Sequence, residues 1–162
     1  MKTKKFERIL IALDYDQTAQ NVAEAGFALA RNMGARVILL HIISDPVYYS
    51  STEYSPITGF TGLSNTVPWQ MDNIEDLKKA TQYYLDKIKQ NLGDDTIETH
   101  VEDGDFAESI LRAAKTTKAD IIVMGSHSRK WLEDIVMGSV TEKVLHHTTL
   151  PLFIIPTKKQ KQ

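Results

Sequence analysis

The chain contains no cysteine. That absence removes disulfides, thiolate metal sites and cysteine nucleophiles together. An excess of charge of either sign is also lacking. Nineteen Lys and Arg stand against 21 Asp and Glu, for a net charge of -2. A general nucleic-acid binder needs cations concentrated on one surface, so that class is disfavoured. No apolar run approaches the length that crosses a bilayer. The first apolar stretch is short and interrupted by Glu7 and Arg8, which is not the pattern of a signal peptide. A cytoplasmic protein, acting away from membranes, is expected. Proline and aromatic residues are few overall, and Pro46, Pro56 and Pro68 fall within one segment.

What remains is ordinary globular material: 162 residues, 42% hydrophobic and 25% charged. This suits a single domain that buries a sizeable core. Short β-branched runs alternate with longer segments of helical period, which is the mark of βα units on a parallel sheet. Phe6–Leu13, Arg36–Ile43, Thr96–Glu102, Ala119–Met124 and Leu150–Ile155 read as five strands. The first, second and fourth are almost continuously apolar, as strands covered on both faces must be. Four helices are expected between them. The first covers 17–33, with Val22, Ala25, Gly26, Leu29 and Met33 on one stripe and Gly34 as C-cap. The second covers about 71–91 and repeats Ile74, Leu77, Thr81, Leu85, Ile88 and Leu92. The third starts at the capping-box sequence Asp105-Phe106-Ala107-Glu108 and turns Phe106, Ile110, Leu111 and Ala114 inward. The fourth starts near Ser139, with Glu142 completing an S-x-x-E box, and buries Val140, Val144 and Leu145. All crossovers are expected to be right-handed. Residues 44–70 form one long connection carrying Tyr48, Tyr49, Tyr54 and Trp69. It reads either as an insertion with no binding role or as a lid over a bound ring.

Chemistry concentrates after the fourth strand. Met124-Gly125-Ser126-His127-Ser128 is followed by nine residues and then Gly138-Ser139, where a helix begins. A strand, a Gly/Ser-rich loop and a helix N-terminus make an anion site, because free backbone N–H groups and the helix dipole converge there. Phosphate is the first ligand to consider. Asp14 ends the first strand at the edge where open parallel sheets bind ligands. It suits either a ligand contact or a turn carboxylate. Arg129 and Lys130 offer charge to phosphates but equally suit a solvated loop. His127 has no partners at metal-ligand spacing. His146 and His147 fit a helix C-terminus, where partial positive charge suits the dipole.

Several pieces in order resemble the universal stress protein family. They are Arg8-Ile9-Leu10-Ile11-Ala12-Leu13-Asp14, Leu39-Leu40-His41-Ile42, Glu102-Asp103-Gly104, Ala119 through His127, Gly138-Ser139, and Pro151-Leu152-Phe153-Ile154-Ile155-Pro156. The resemblance implies one domain over 1–157, followed by a basic tail at 158–162. It implies an α/β fold of the adenine-nucleotide-hydrolase, Rossmann-like kind: an open five-stranded parallel sheet of order 3-2-1-4-5 with helices on both faces. The nucleotide-binding branch carries G-x2-G-x9-G-S or G-T. Gly125, Gly138 and Ser139 match it, and Ser128 stands at the second glycine. If that position needs a positive φ, a non-glycine residue costs about 1–2 kcal/mol, or roughly tenfold in affinity.

By the same resemblance, Asp14, Ile42, Met124, Gly125, Ser128, Gly138 and Ser139 form the site. ATP, or ADP or AMP, is the implied ligand, with Mg accompanying the phosphates. The implied role is a stress-response sensor or regulator. Homodimerisation is implied through the fifth strand, Leu152, Phe153, Ile154 and Ile155, whose bare edge would otherwise invite aggregation. A slow ATP hydrolase and a dimeric stress protein that binds no nucleotide stand as alternatives. No general base is evident beyond the loop, so a non-enzymatic role is favoured. A phospho-receiver is excluded, since Ile154-Ile155-Pro156 ends the fifth strand where a Lys would be required.

Overall fold

A computed structural model describes residues 2–14, 18–43, 74–126 and 138–157. They form β1 (Arg8–Leu13), α1 (Ala19–Met33), β2 (Arg36–Ile43), α2 (Ile74–Leu92), β3 (Glu98–Asp103), α3 (Phe106–Thr116), β4 (Ile121–Gly125), α4 (Ser139–His147) and β5 (Leu152–Ile155). The strands make one sheet of order β3-β2-β1-β4-β5, with every pair parallel. The expected architecture is therefore the observed one. Among the described residues no helix is long and apolar enough to cross a membrane.

The sheet is covered on both faces, and its strands alternate between two cores. Ile9, Ile11, Leu13, Val37, Leu39, Ile121 and Val123 pack with Val22, Ala23, Leu85 and Ile88 of α1 and α2. Leu10, Ala12, Ile38, Leu40, Ile42, Ile122 and Met124 pack with Ala107, Ile110, Ala113 and Val144 of α3 and α4. This explains the unbroken apolar runs of β1, β2 and β4: each of their residues faces one core or the other. Each fully buried Ile or Leu contributes about 1.5–3 kcal/mol, so these three strands hold the fold. The outer strands are only half-buried.

α1 lies very close to the sheet, and Gly26 is the reason. A Cβ there would stand 2.6 Å from Ile11 Cδ1 and 3.3 Å from Val123 Cγ1. α1 ends as expected at Gly34, whose φ of 65° is left-handed and whose N–H reaches Ala30 and Arg31 carbonyls. Its buried stripe is Ala19, Val22, Ala23, Gly26 and Ala30, turned slightly from the expected one, with Ala25, Leu29 and Met33 only half-buried. Small residues occupy the stripe because they permit the close approach.

α3 starts as the sequence indicates, with Asp105 accepting from the Glu108 N–H at 3.0 Å. α4 differs from expectation in two ways. Leu145 is exposed, at 47%, because the face that this short helix turns to the core carries Thr141 and Val144, with Val140 half-buried against it. Its N-cap is Gly138 rather than Ser139, and no side chain caps it. The S-x-x-E box is not formed, since Ser139 already lies inside the helix and Glu142 N–H bonds the Gly138 carbonyl at 2.9 Å. At the sheet's N-terminal edge, Asp120 Oδ2 accepts the N–H groups of Glu7 and Arg8 at 2.9 and 3.1 Å, fixing β1 against β4 far from the C-terminal ends of the strands. The 44–70 connection and the 158–162 tail lie outside the described residues.

Candidate functional site

The sheet order reverses between β1 and β4. α1 leaves the end of β1 toward one face, while α4 begins on the other face beyond β4. Divergent connections open a crevice at the C-terminal edge, which is where such sheets bind ligands. Leu13 pairs with His41 and Ala12 with Met124. Gly125, the last residue of β4, is therefore level with Leu13, the last residue of β1, while β2 continues two residues further through Ile42 and Ile43. The ends of β1 and β4 thus form a ledge beside the longer β2.

Asp14 follows β1 directly and is half-buried, outside both cores. The sheet therefore brings it to the crevice. Ile42 and Met124 are core residues by side chain, at most 5% exposed, on the α3/α4 face. Their side chains are therefore taken up by packing. Gly125 ends β4 with no positive φ. Its need for glycine is steric: a Cβ would meet Thr157 Cγ2 at 3.0 Å and Val22 Cγ2 at 3.2 Å. Gly138 is buried, with extended backbone (φ -68°, ψ 155°), and Ser139 is exposed as the first residue of α4. Ser128, together with His127, Arg129, Lys130, Trp131 and Leu132, lies outside the described residues.

The α4 N-terminus, like that of α1, has no capping side chain among the described residues, and it lies beside the end of β4. The first-turn N–H groups of a helix have no intrahelical acceptor, and the dipole adds partial positive charge. At α3 that need is met by the Asp105 carboxylate. Its pKa lies below the ordinary aspartate value, chiefly because of the Glu108 N–H, with a further contribution from Lys143 at 3.3 Å. At α4 no side chain fills the role among the described residues. An anion would complete this end, and the crevice beside it opens toward Asp14.

Four polar residues that set this geometry escape a reading of the sequence. Thr141 Oγ1 donates to the Gly125 carbonyl at 3.0 Å, tying the first turn of α4 to β4. Gly138 N–H donates to the Ser126 carbonyl at 2.8 Å. Ser126 Oγ accepts the Thr157 N–H at 3.1 Å. His41 is fully buried, and its ring meets the Leu13 carbonyl at 2.9 Å. A carbonyl only accepts, so Nδ1 carries the proton and holds the end of β1 against β2. The sequence signals are a histidine inside the apolar run Val37–Ile43 and the place of Ser126 in the Gly/Ser-rich loop, neither of which names a partner. Among the described residues no group of three or more His, Asp or Glu is placed to hold a metal ion.

Residues 5–156 match the profile of the universal stress protein family. The universal stress protein MJ0577 of Methanocaldococcus jannaschii is 28% identical over 158 residues, covering 94% of this chain and 96% of its own. The solved structure of the MJ0577 protein superposes with a TM-score of 0.72, at 25% identity, over 97% of this chain and 100% of that one. A universal stress protein in complex with cAMP gives a TM-score of 0.65 at 14% identity, covering 96% of this chain and 100% of its own. One from Archaeoglobus fulgidus in complex with dAMP gives 0.59 at 19% identity, covering 93% and 98%. At such identities these two share the fold with this chain. The sheet order β3-β2-β1-β4-β5 and a match over nearly the whole length agree: the chain belongs to the universal stress protein family.

Proposed function

We propose that this protein binds an adenine nucleotide, ATP in the first instance and ADP or AMP in its place, in the crevice between β1 and β4. The α4 N-terminus carries the reading, since it begins at Gly138 beside the end of β4 without a capping side chain. Phosphates would lie over Gly138, whose own N–H is held by the Ser126 carbonyl, take the first-turn N–H groups of α4 from Ser139 onward, and approach closely over Gly125 and Ser128. The nucleoside would lie toward Asp14 and the backbone of Ile42 and Met124, with Mg accompanying the phosphates. Relatives of the same fold in complex with cAMP and dAMP support an adenine ligand. In this reading the protein is a cytoplasmic sensor or regulator of a stress response.

A homodimer through β5 belongs to the same proposal. β5 pairs with β4 on one side, and Phe153 stands 43% exposed on this outer strand. Two-fold pairing of the outer edges would cover it.

The experiment is a melting curve with and without ATP, ADP, AMP and GTP, together with analysis of the denatured protein for co-purified nucleotide. At a hundred times its Kd a ligand adds ~2.7 kcal/mol, a rise of roughly 5 °C or more for a chain of this size. Adenine nucleotides should raise the Tm and GTP should not. No shift with any of them and no carried nucleotide would sink the proposal.

A further inference from the structure

Thr157 stands beyond the last residue matched to the family profile, yet it is in contact with the first glycine of the loop motif. Its side chain fills the space that a Cβ at Gly125 would take, with Cγ2 at 3.0 Å. Its N–H donates to Ser126 Oγ at 3.1 Å, and its Oγ1 lies 3.4 Å from the same oxygen. Thr157 is a buried polar residue, 6% exposed, so an acceptor for its N–H matters. Ser126 is held at every polar group it has. Its N–H donates to the Ile155 carbonyl at 2.9 Å, and its own carbonyl accepts the Gly138 N–H at 2.8 Å. One residue therefore joins the end of β4, the segment leaving β5 and the start of α4.

We propose that Ser126 and Thr157 are positioning residues for the phosphate end of the site. The Ser126 hydroxyl and the Thr157 N–H form a latch that fixes Gly138, and with it the α4 N-terminus, relative to the strand ends. The inference rests on the nucleotide reading above and deepens it. Glycine at 125 and the latch are two sides of one contact: the absent Cβ admits Thr157, and Thr157 then reaches Ser126. Asp14 and β2 lie on the other side of the crevice and take no part in the latch. The latch therefore acts on phosphate binding and leaves nucleoside binding alone.

The test measures Kd for ATP and for adenosine, by calorimetry, in the wild type, Ser126→Ala and Ser126→Thr, with Tm recorded for each. Ser126→Ala removes the acceptor of the Thr157 N–H. ATP affinity should fall about tenfold, the scale of one net hydrogen bond, while adenosine affinity stays within about twofold. Ser126→Thr keeps the hydroxyl and should restore ATP binding. Equal weakening of ATP and adenosine in Ser126→Ala would mark a structural role only and overturn the latch. So would ATP affinity left unchanged, or a Thr variant as weak as the Ala variant. A wild type that binds neither ligand overturns the nucleotide reading itself, and the latch with it.

Discussion

Replacing Gly26 by alanine sets helix propensity directly against packing. In the interior of α1 (Ala19–Met33), alanine is favoured over glycine by about 0.8–1.0 kcal/mol. On an exposed helix face that gain would be realised. At Gly26 the new Cβ stands 2.6 Å from Ile11 Cδ1, 2.9 Å from Ile11 Cγ1 and 3.3 Å from Val123 Cγ1. Carbon atoms pack comfortably at about 3.5–4.0 Å, so the nearest contact falls short by ~1 Å. Cδ1 can swing aside, but Cγ1 is fixed by β-branching in a fully buried residue. The helix must then lift off the sheet. Overpacking of this kind costs about 1–3 kcal/mol, which outweighs the propensity gain. Gly26→Ala should therefore lose about 1 kcal/mol net in urea denaturation, with the Tm lower by roughly 2–4 °C. Ile11→Val removes Cδ1 and by itself costs about 0.5–1.5 kcal/mol. Combined with Gly26→Ala it should cost less than the sum, with a coupling of at least about 0.5 kcal/mol. A Gly26→Ala protein more stable than the wild type, or strictly additive costs, would refute the argument that this glycine exists for close approach.

Two further outcomes follow from the same geometry. Asp105 caps α3 and pairs with Lys143, and its pKa is held below the ordinary value of 3.8. A carboxylate depressed in the folded state stabilises the protein above its unfolded pKa, and the effect is lost as pH falls through the lowered value. Asp105→Asn keeps a capping oxygen but not the charge, so it should be slightly less stable than the wild type at neutral pH and converge with it below about pH 4, giving a flatter acid limb. Asp105→Ala should cost about 1 kcal/mol at neutral pH. Acid limbs that superimpose for the wild type and the Asn variant would contradict this assignment. For the outer edge, light scattering at micromolar concentration should give a dimer mass for the wild type and a monomer for Phe153→Lys, which charges the exposed face of β5. A monomeric wild type would remove the β5 pairing from the proposal.

Hydrophobic pattern and terminator chemistry made most of the fold legible. Ile9-Leu10-Ile11, Ile38-Leu39-Leu40 and Ile121-Ile122-Val123 are apolar without a break because each must serve two cores, and that requirement shows in one dimension. Gly34 and Asp105 were equally readable, since a left-handed C-cap and a side-chain N-cap are local events. Ser139 misled for the same reason. A capping box is a local pattern, but the hydrogen bond from Gly138 N–H to the Ser126 carbonyl sets where α4 starts, and its partners come from opposite ends of a connection. Leu145 suited the helical period, but α4 is short and only one narrow face of it meets the sheet.

The candidate site divides along the same line. Asp14, Gly125 and Gly138 could be picked out because strand ends, glycines and helix starts are written in sequence order. His41 against the Leu13 carbonyl, Thr141 against the Gly125 carbonyl and Thr157 against Ser126 could not. Each joins residues of different elements, and only the sheet order brings those elements together. The sequence by itself determined the elements, the two-faced strands and the edge at which a ligand would bind, because periodicity and terminator residues act over a few positions. Tertiary structure decided why position 125 must be glycine and what holds the start of α4, because those answers are distances between atoms far apart along the chain.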